Sequence, residues 1–263
     1  MAELSNIAWT TNTFNPWYGC TKVGPGCDHC YAEAWNVRFS PDGIAQNWGP
    51  GAPRRRTSAS NWAKVRKWNR DAATATEPVR VFCASLADVF DNEADPAVRA
   101  DLWNLVRETP NLKWQFLTKR VGNVLKMLPA DWRENFRHCG IAATVVTQEE
   151  CDRDLPKLLA VKREAGVAWV GLSIEPQVEL VIPKFSVDWV ITGGESSQRG
   201  HSARLYDPAW ARELIHYGLR DGFAIFVKQM GSNPAGLRLR DRAGADPSEW
   251  PNDLRVREFP KGF

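Results

Sequence analysis

The run Gly140-Ile-Ala-Ala-Thr-Val-Val146, the helical pattern from Gln148 to Glu164 and the run Val167-Ala-Trp-Val-Gly-Leu-Ser173 read together as strand, helix, strand. The same alternation extends in both directions. Upstream, Val79-Arg-Val-Phe-Cys83 is a strand. Asp95-Pro96 caps a helix in which Val98, Leu102, Leu105 and Val106 recur at helical spacing through about Glu108. Lys113-Trp-Gln-Phe-Leu117 is a strand, and Val121 to Leu128 a short helix. Downstream, Val187-Asp-Trp-Val-Ile-Thr192 is a strand, Asp207-Pro208 caps a helix from Ala209 to Leu219, and Phe223-Ala-Ile-Phe-Val227 is the last clear strand. Alternating apolar strands and helices predict a parallel sheet with right-handed crossovers. With one strand before Cys20 there are about seven, enough for a complete or partial TIM-type (β/α) barrel, an α/β fold.

In parallel barrels the site lies at the carboxyl ends of the strands. The residues just after each strand are Ser85 and Asp88; Thr118, Lys119 and Arg120; Thr147 and Gln148; Glu175; Gly193, Gly194, Glu195 and Ser196; Lys228 and Gln229. Gly193-Gly-Glu195 lets backbone approach a ligand and places a carboxylate for an ammonium or a ribose; the alternative is a glycine turn with a solvated glutamate. Lys228 can meet a carboxylate or phosphate, or pair with Glu195 or Glu175. His138, His201 and His216 have no ligand spacing.

Before the first clear strand lies Asn15-Pro-Trp-Tyr-Gly-Cys20-Thr-Lys-Val-Gly-Pro-Gly-Cys27-Asp-His-Cys30-Tyr31, which leads into an expected helix from Asp28 to Phe39. Its cysteines are spaced C-x6-C-x2-C. Glycine and proline between them let a loop fold back so that three sulfurs converge. A helix start beside Cys30 favours the thiolate, the metal-binding form. Three thiolates can hold three irons of a [4Fe–4S] cluster and leave the fourth open. A structural zinc with His29 or a distant cysteine as fourth ligand is the alternative. The odd count argues against a disulfide. Cys83, Cys139 and Cys151 fall in or near strand and helix patterns as core or surface thiols.

The chain has 263 residues, 43% apolar and 25% charged, with a net charge of +3. That suits one globular domain over 1–263 and permits an anionic partner. No apolar run is long enough to span a membrane, and the N-terminus shows no leader. A reducing cytoplasm is the expected location, where clustered cysteines read as metal ligands. A polar, basic insertion covers about 40–75. Within it, Arg54-Arg-Arg56 and Asn61-Trp62-Ala-Lys64-Val-Arg66-Lys67-Trp68 interleave cations and rings, as a nucleic-acid surface or as a solvated basic face. Among the 13 tryptophans, Trp103, Trp114, Trp169 and Trp189 are expected in the core, and Trp9, Trp17, Trp35 and Trp48 around the cysteines. An irregular segment fills about 231–263, with Leu237 to Arg242 as a strand or basic surface segment and Asp253 to Phe259 as a final edge strand.

Trp9-Thr10, Asn15-Pro16, Gly19-Cys20-Thr21-Lys22-Val23, Pro25-Gly26-Cys27 and Cys30-Tyr31-Ala32-Glu33 resemble the phage Gp37/Gp68 family, a domain of unknown function. The resemblance extends through Leu117-Thr-Lys-Arg120, Ile191-Thr-Gly-Gly-Glu-Ser196 and Phe226-Val-Lys-Gln229. That family is similar to radical S-adenosylmethionine (SAM) enzymes, whose commonest spacing is C-x3-C-x2-C; here the first gap is six. The resemblance implies a [4Fe–4S] cluster on Cys20, Cys27 and Cys30 that chelates SAM. It implies reductive cleavage to a 5′-deoxyadenosyl radical and hydrogen abstraction from a substrate, with nucleic acid or a nucleotide as the leading expectation. An electron donor such as flavodoxin or ferredoxin would serve it. Tyr31, Ser85, Asp88, Gly193, Gly194 and Glu195 are then the expected cofactor-binding set, and Glu175, Glu195 and Lys228 the expected catalytic set. Radical SAM enzymes often carry a Gly-Gly-Glu after the second strand; here it follows about the sixth. Two rival readings remain: a zinc- or cluster-bearing nucleic-acid-binding protein without catalysis, and a barrel hydrolase using the strand-end carboxylates.

Overall fold

The computed structural model describes residues 5–198 and 200–263; the stretch 1–4, where a leader would begin, lies outside the described residues. In chain order the strands are β1 (Asn12–Thr13), β2 (Trp17–Tyr18), β3 (Arg55–Arg56), β4 (Arg80–Cys83), β5 (Lys113–Thr118), β6 (Cys139–Thr144), β7 (Trp169–Ile174), β8 (Trp189–Gly193) and β9 (Ala224–Gln229). The helices are α1 (Tyr31–Arg38), α2 (Ala59–Ala72), α3 (Pro96–Arg107), α4 (Val124–Met127), α5 (Trp132–Asn135), α6 (Gln148–Ala165) and α7 (Pro208–Asp221). Seven strands form one sheet in the order β1-β4-β5-β6-β7-β8-β9, every pair parallel. Sheet order follows chain order, so every crossover steps one place in the same direction. The result is the partial barrel that the alternation predicts, and its strand ends share one rim. A short antiparallel ribbon of β2 and β3 stands beside it.

Side-chain alternation divides the core in two. Val170, Leu172 and Val190 turn outward to a large cluster shared with α2, α3, α6 and α7. Trp169, Trp189, Ile191, Phe82 and Phe226 turn inward around Trp9, with Phe259 and Phe263 of the C-terminal segment against them. All four expected core tryptophans are buried. Asp95 and Asp207 cap α3 and α7 through the amides of Ala97 (2.8 Å) and Ala209 (2.9 Å). Cys83, Cys139 and Cys151 are buried in the outer cluster.

Four expectations need correction. α1 begins at Tyr31, with Cys30 as its N-cap residue, not at Asp28. Residues 237–242 form no strand: the amides of Arg240 and Asp241 go to the Glu249 carboxylate (2.7 and 3.1 Å), so they cannot join a ladder. Residues 253–259 make one antiparallel bridge to β9, through Arg257 and Phe226, and no full strand. In the basic insertion Trp62 and Trp68 are 7% and 8% exposed and face the core, so they offer no platform for bases. Four of its cations are paired: Arg54 with Asp91 and Glu93, Arg56 with Asp101, Arg66 with Glu108 and Lys67 with Asp71.

Candidate active site at the mouth of the half-barrel

The cysteine loop closes over the carboxyl rim of the sheet, and a cavity of about 380 Å³ lies between them. Glycine sets the approach. At Gly19 φ is +116°, and a Cβ there would press on the Asn47 carbonyl. Gly24 faces the carboxylate of Glu150, which accepts a hydrogen bond from the Val146 amide at 2.8 Å. Gly26 rests on Val146 and Lys119. The loop is thereby docked on the ends of β5 and β6.

Cys20, Cys27 and Cys30 all line the cavity. Burial raises the Cys20 thiol to about 11, against the pull of the Arg120 guanidinium, whose Nη1 is 3.4 Å from Sγ. Burial also raises Cys30; the amides of Glu33 and Ala32 at the start of α1, and Lys119, pull the other way. Arg120 is fixed by Asp88 at 3.1 Å and the Thr21 carbonyl at 2.8 Å. Asp88 also accepts from Thr118 Oγ1 (2.8 Å) and the Lys119 amide (3.1 Å), so it orients the arginine.

On the facing wall Glu175 pairs with Lys228 at 2.9 Å and accepts from Ser173 at 3.2 Å. Ser85 Oγ accepts from Asn15 at 3.0 Å. Tyr31 stands at the rim, 52% exposed. Trp9 and Phe82 of the inner core line the cavity, as does Trp48, whereas Trp17 and Trp35 do not. Tyr31, Ser85, Asp88, Glu175 and Lys228 therefore meet the three cysteines in one place.

Gly193, Gly194 and Glu195 are not among the lining residues. The two glycines admit the backbone of Gln229 and Met230 at close range. Glu195, 8% exposed, accepts from Arg204 Nε (3.0 Å), Nη2 (2.8 Å) and amide (3.0 Å), and from His29 Nδ1 at 3.1 Å. The His29 ring stacks on His201 at 4.5 Å, and Gln198 Nε2 donates to the His29 carbonyl at 2.9 Å. The segment after β8 thus clasps the cysteine loop from outside. Sequence reasoning missed this clasp: Arg204 belongs to no motif, and no spacing ties it to Glu195.

Among the described residues no three His, Cys, Asp or Glu side chains gather around a single ion. In a [4Fe–4S] cubane each thiolate binds a different iron. Three thiols lining one cavity suit that demand, and His29, occupied by Glu195 and His201, leaves a three-sulfur set. The residues present fit such a cluster.

A parallel half-barrel carrying a three-cysteine loop across its carboxyl rim is the class that fold and site define. The chain belongs to the family described as a protein of unknown function, DUF5131, whose model matches residues 4–248. No curated protein sequence matches it. Similar solved structures include several of spore photoproduct lyase. A cysteine variant is 13% identical over 81% of this chain and 75% of that chain, with a TM-score of 0.49. A tyrosine variant is 14% identical over 80% and 74%, also at 0.49. A form with bound AdoMet and dinucleoside spore photoproduct is 16% identical over 62% and 45%, at 0.44. The match spans less than half the length of that last protein.

Proposed function

We propose that this protein is a radical SAM-type enzyme whose Cys20, Cys27 and Cys30 hold a [4Fe–4S] cluster in the mouth of the half-barrel. The observation that carries the reading is the convergence of these three thiols, from one loop, on a cavity of about 380 Å³ that the strand-end residues Ser85, Asp88, Glu175 and Lys228 also line. Its volume lies in the range of small-molecule and cofactor sites. A cluster held by Cys20, Cys27 and Cys30 and reduced by a flavodoxin- or ferredoxin-type donor would supply the electron for reductive cleavage of SAM to a 5′-deoxyadenosyl radical.

The chain's own residues bind, orient and exclude water. Arg120 places a fixed positive charge beside the Cys20 sulfur and favours its thiolate. Asp88 holds that charge in position. The Glu175–Lys228 pair presents a carboxylate and an ammonium to the ligand, so a zwitterionic or hydroxylated group can exchange with either partner. Ser85 and Tyr31 add hydroxyls at the rim. Trp9 and Phe82 close the floor against solvent. Glu195 acts from outside, through His29, by holding the loop.

Iron and sulfide content after anaerobic reconstitution tests the assignment. The native chain should bind about four irons. Cys20→Ala, Cys27→Ala and Cys30→Ala should each lose them, whereas Cys83→Ala, Cys139→Ala and Cys151→Ala should not. Full iron and sulfide in Cys27→Ala would overturn it.

A further inference from the structure

A second recess lies outside the mouth, between α1 and the β2–β3 ribbon. Its volume is about 110 Å³, and Tyr18, Trp35, Phe39 and Arg55 form its apolar and cationic walls. Asn36 closes the back: its Nδ2 donates to Asn47 Oδ1 at 3.2 Å, and the Asn47 amide donates back at 3.3 Å. The rings meet edge-on or tilted, Tyr18 to Trp35 at 5.9 Å and Trp35 to Phe39 at 4.8 Å, so they form a bent wall rather than a closed stack. Arg55 lies 5.7 Å from the Tyr18 ring and Arg38 5.7 Å from the Phe39 ring. Among the described residues neither guanidinium has a carboxylate partner.

Tyr31, Trp35 and Phe39 are four residues apart and therefore share one face of α1 and its end. They are 52%, 38% and 64% exposed. A soluble helix normally turns such residues inward. Here the stripe runs about 12 Å, the rise of about three stacked bases. It ends at Tyr31, which also lines the cluster cavity. From Val37 to Arg56 the chain carries four arginines and one acid, Asp42. Asp42 is engaged by Ser40 (2.6 Å), the Ile44 amide (3.0 Å) and Gln46 (2.9 Å). Glu33, on the same helix, is paired with Lys22 at 2.8 Å.

We infer that this recess and stripe bind a single-stranded nucleic acid, with unpaired bases on Tyr18, Trp35 and Phe39 and phosphates on Arg38 and Arg55. Exposed π faces beside uncompensated guanidinium groups provide the stacking and the backbone charge that such strands require. Continuity through Tyr31 leads the strand to the mouth, so the inference rests on the proposed radical SAM reading and specifies its substrate class. The basic insertion does contribute to this surface, but through Arg55 on β3 and not through the buried Trp62 and Trp68.

Anisotropy of a short labelled oligothymidylate and its RNA counterpart, titrated with the full chain at two salt concentrations, tests the inference. The strand should bind at low salt. Trp35→Ala and Phe39→Ala should each weaken binding roughly 5- to 100-fold, the effect of losing one stacked base. Arg55→Ala should lower the salt slope by about 0.7. Arg66→Ala, whose partner is Glu108 on another face, should leave binding unchanged. Phe39 is 64% exposed, so its variant stays folded even if Trp35→Ala does not. No binding at low salt, unchanged affinity in both Phe39→Ala and Arg55→Ala, preference for duplex, or equal competition by polyglutamate would each overturn the inference. The same titration on Cys27→Ala separates it from the cofactor reading. Strand binding that persists there supports the platform even if the native chain cleaves no SAM; SAM cleavage without strand binding removes the platform alone.

Discussion

Glu195 receives Arg204 on one side and His29 on the other, and through His29 it reaches the turn between Cys27 and Cys30. Replacing it by alanine strands the Arg204 guanidinium, 28% exposed, and frees the loop. The expected cost is about 1 kcal/mol or less, because the partly exposed guanidinium regains water. The sharper effect should fall on the site. Reconstituted Glu195→Ala should release iron to a chelator several-fold faster than the native chain, and Glu195→Gln, which keeps an acceptor, should lie between. Equal release rates would leave Glu195 without a role in holding the loop. A second residue sets a pH dependence. His138 is buried with Nε2 3.0 Å from the Val106 carbonyl, and burial lowers its pKa from the usual 6.5. Below pH 6.5 the unfolded chain takes up a proton that the native state resists, so His138 makes stability fall as pH drops through that window. His138→Gln should flatten the fall in denaturation midpoint between pH 7 and 5, and an unchanged slope would contradict this. At this scale the cysteine spacing was legible, because loop glycines and thiols are adjacent in sequence. The Glu195 clasp was not, because its partners lie 9 and 166 residues away and meet only in the fold.

Strand β6 shows how one residue sets the distance between elements. Gly140 lies flat under the Trp169 indole of β7, and a Cβ there would fall inside the ring. Gly140→Ala should therefore cost about 1–3 kcal/mol by overpacking, lowering Tm by several degrees in calorimetry. Gly122→Ala, where a Cβ meets nothing within 4 Å, should not. Similar Tm values for the two would contradict the packing described. The central strands and long helices were readable because burial on both faces leaves unbroken apolar runs, and Asp-Pro marks the starts of α3 and α7. The C-terminal segment was not. Leu237, Leu239 and Val256 look like strand residues, but they pack against the core from irregular backbone. The helix α2 misled in the opposite sense. Its alternating cations and tryptophans suggested a ligand surface, yet helical spacing sends Trp62, Val65 and Trp68 to the core and leaves paired charges outside.

Across the whole molecule the chemistry depends on bringing distant stretches to one rim. Cys20, Ser85, Arg120, Glu175 and Lys228 come from five separate stretches and line one cavity because every strand of the sheet is parallel. That gathering was legible as soon as the strands were counted, since the end of each strand is also where its polar residues stand. Which of these residues face the cavity was not legible: Gly193 ends β8, and Gly194 and Glu195 follow it, yet none of the three lines the cavity; the glycines lie against the Gln229 and Met230 backbone, and Glu195 pairs with Arg204 and His29. The central claim concerns what the three thiols do together. It is tested most directly by measuring 5′-deoxyadenosine after anaerobic incubation of the reconstituted chain with SAM and dithionite. The expected result is slow release even without substrate, abolished in Cys27→Ala and retained in Cys151→Ala. A fully loaded, reduced protein that releases none, and whose EPR spectrum SAM leaves unchanged, would contradict the account.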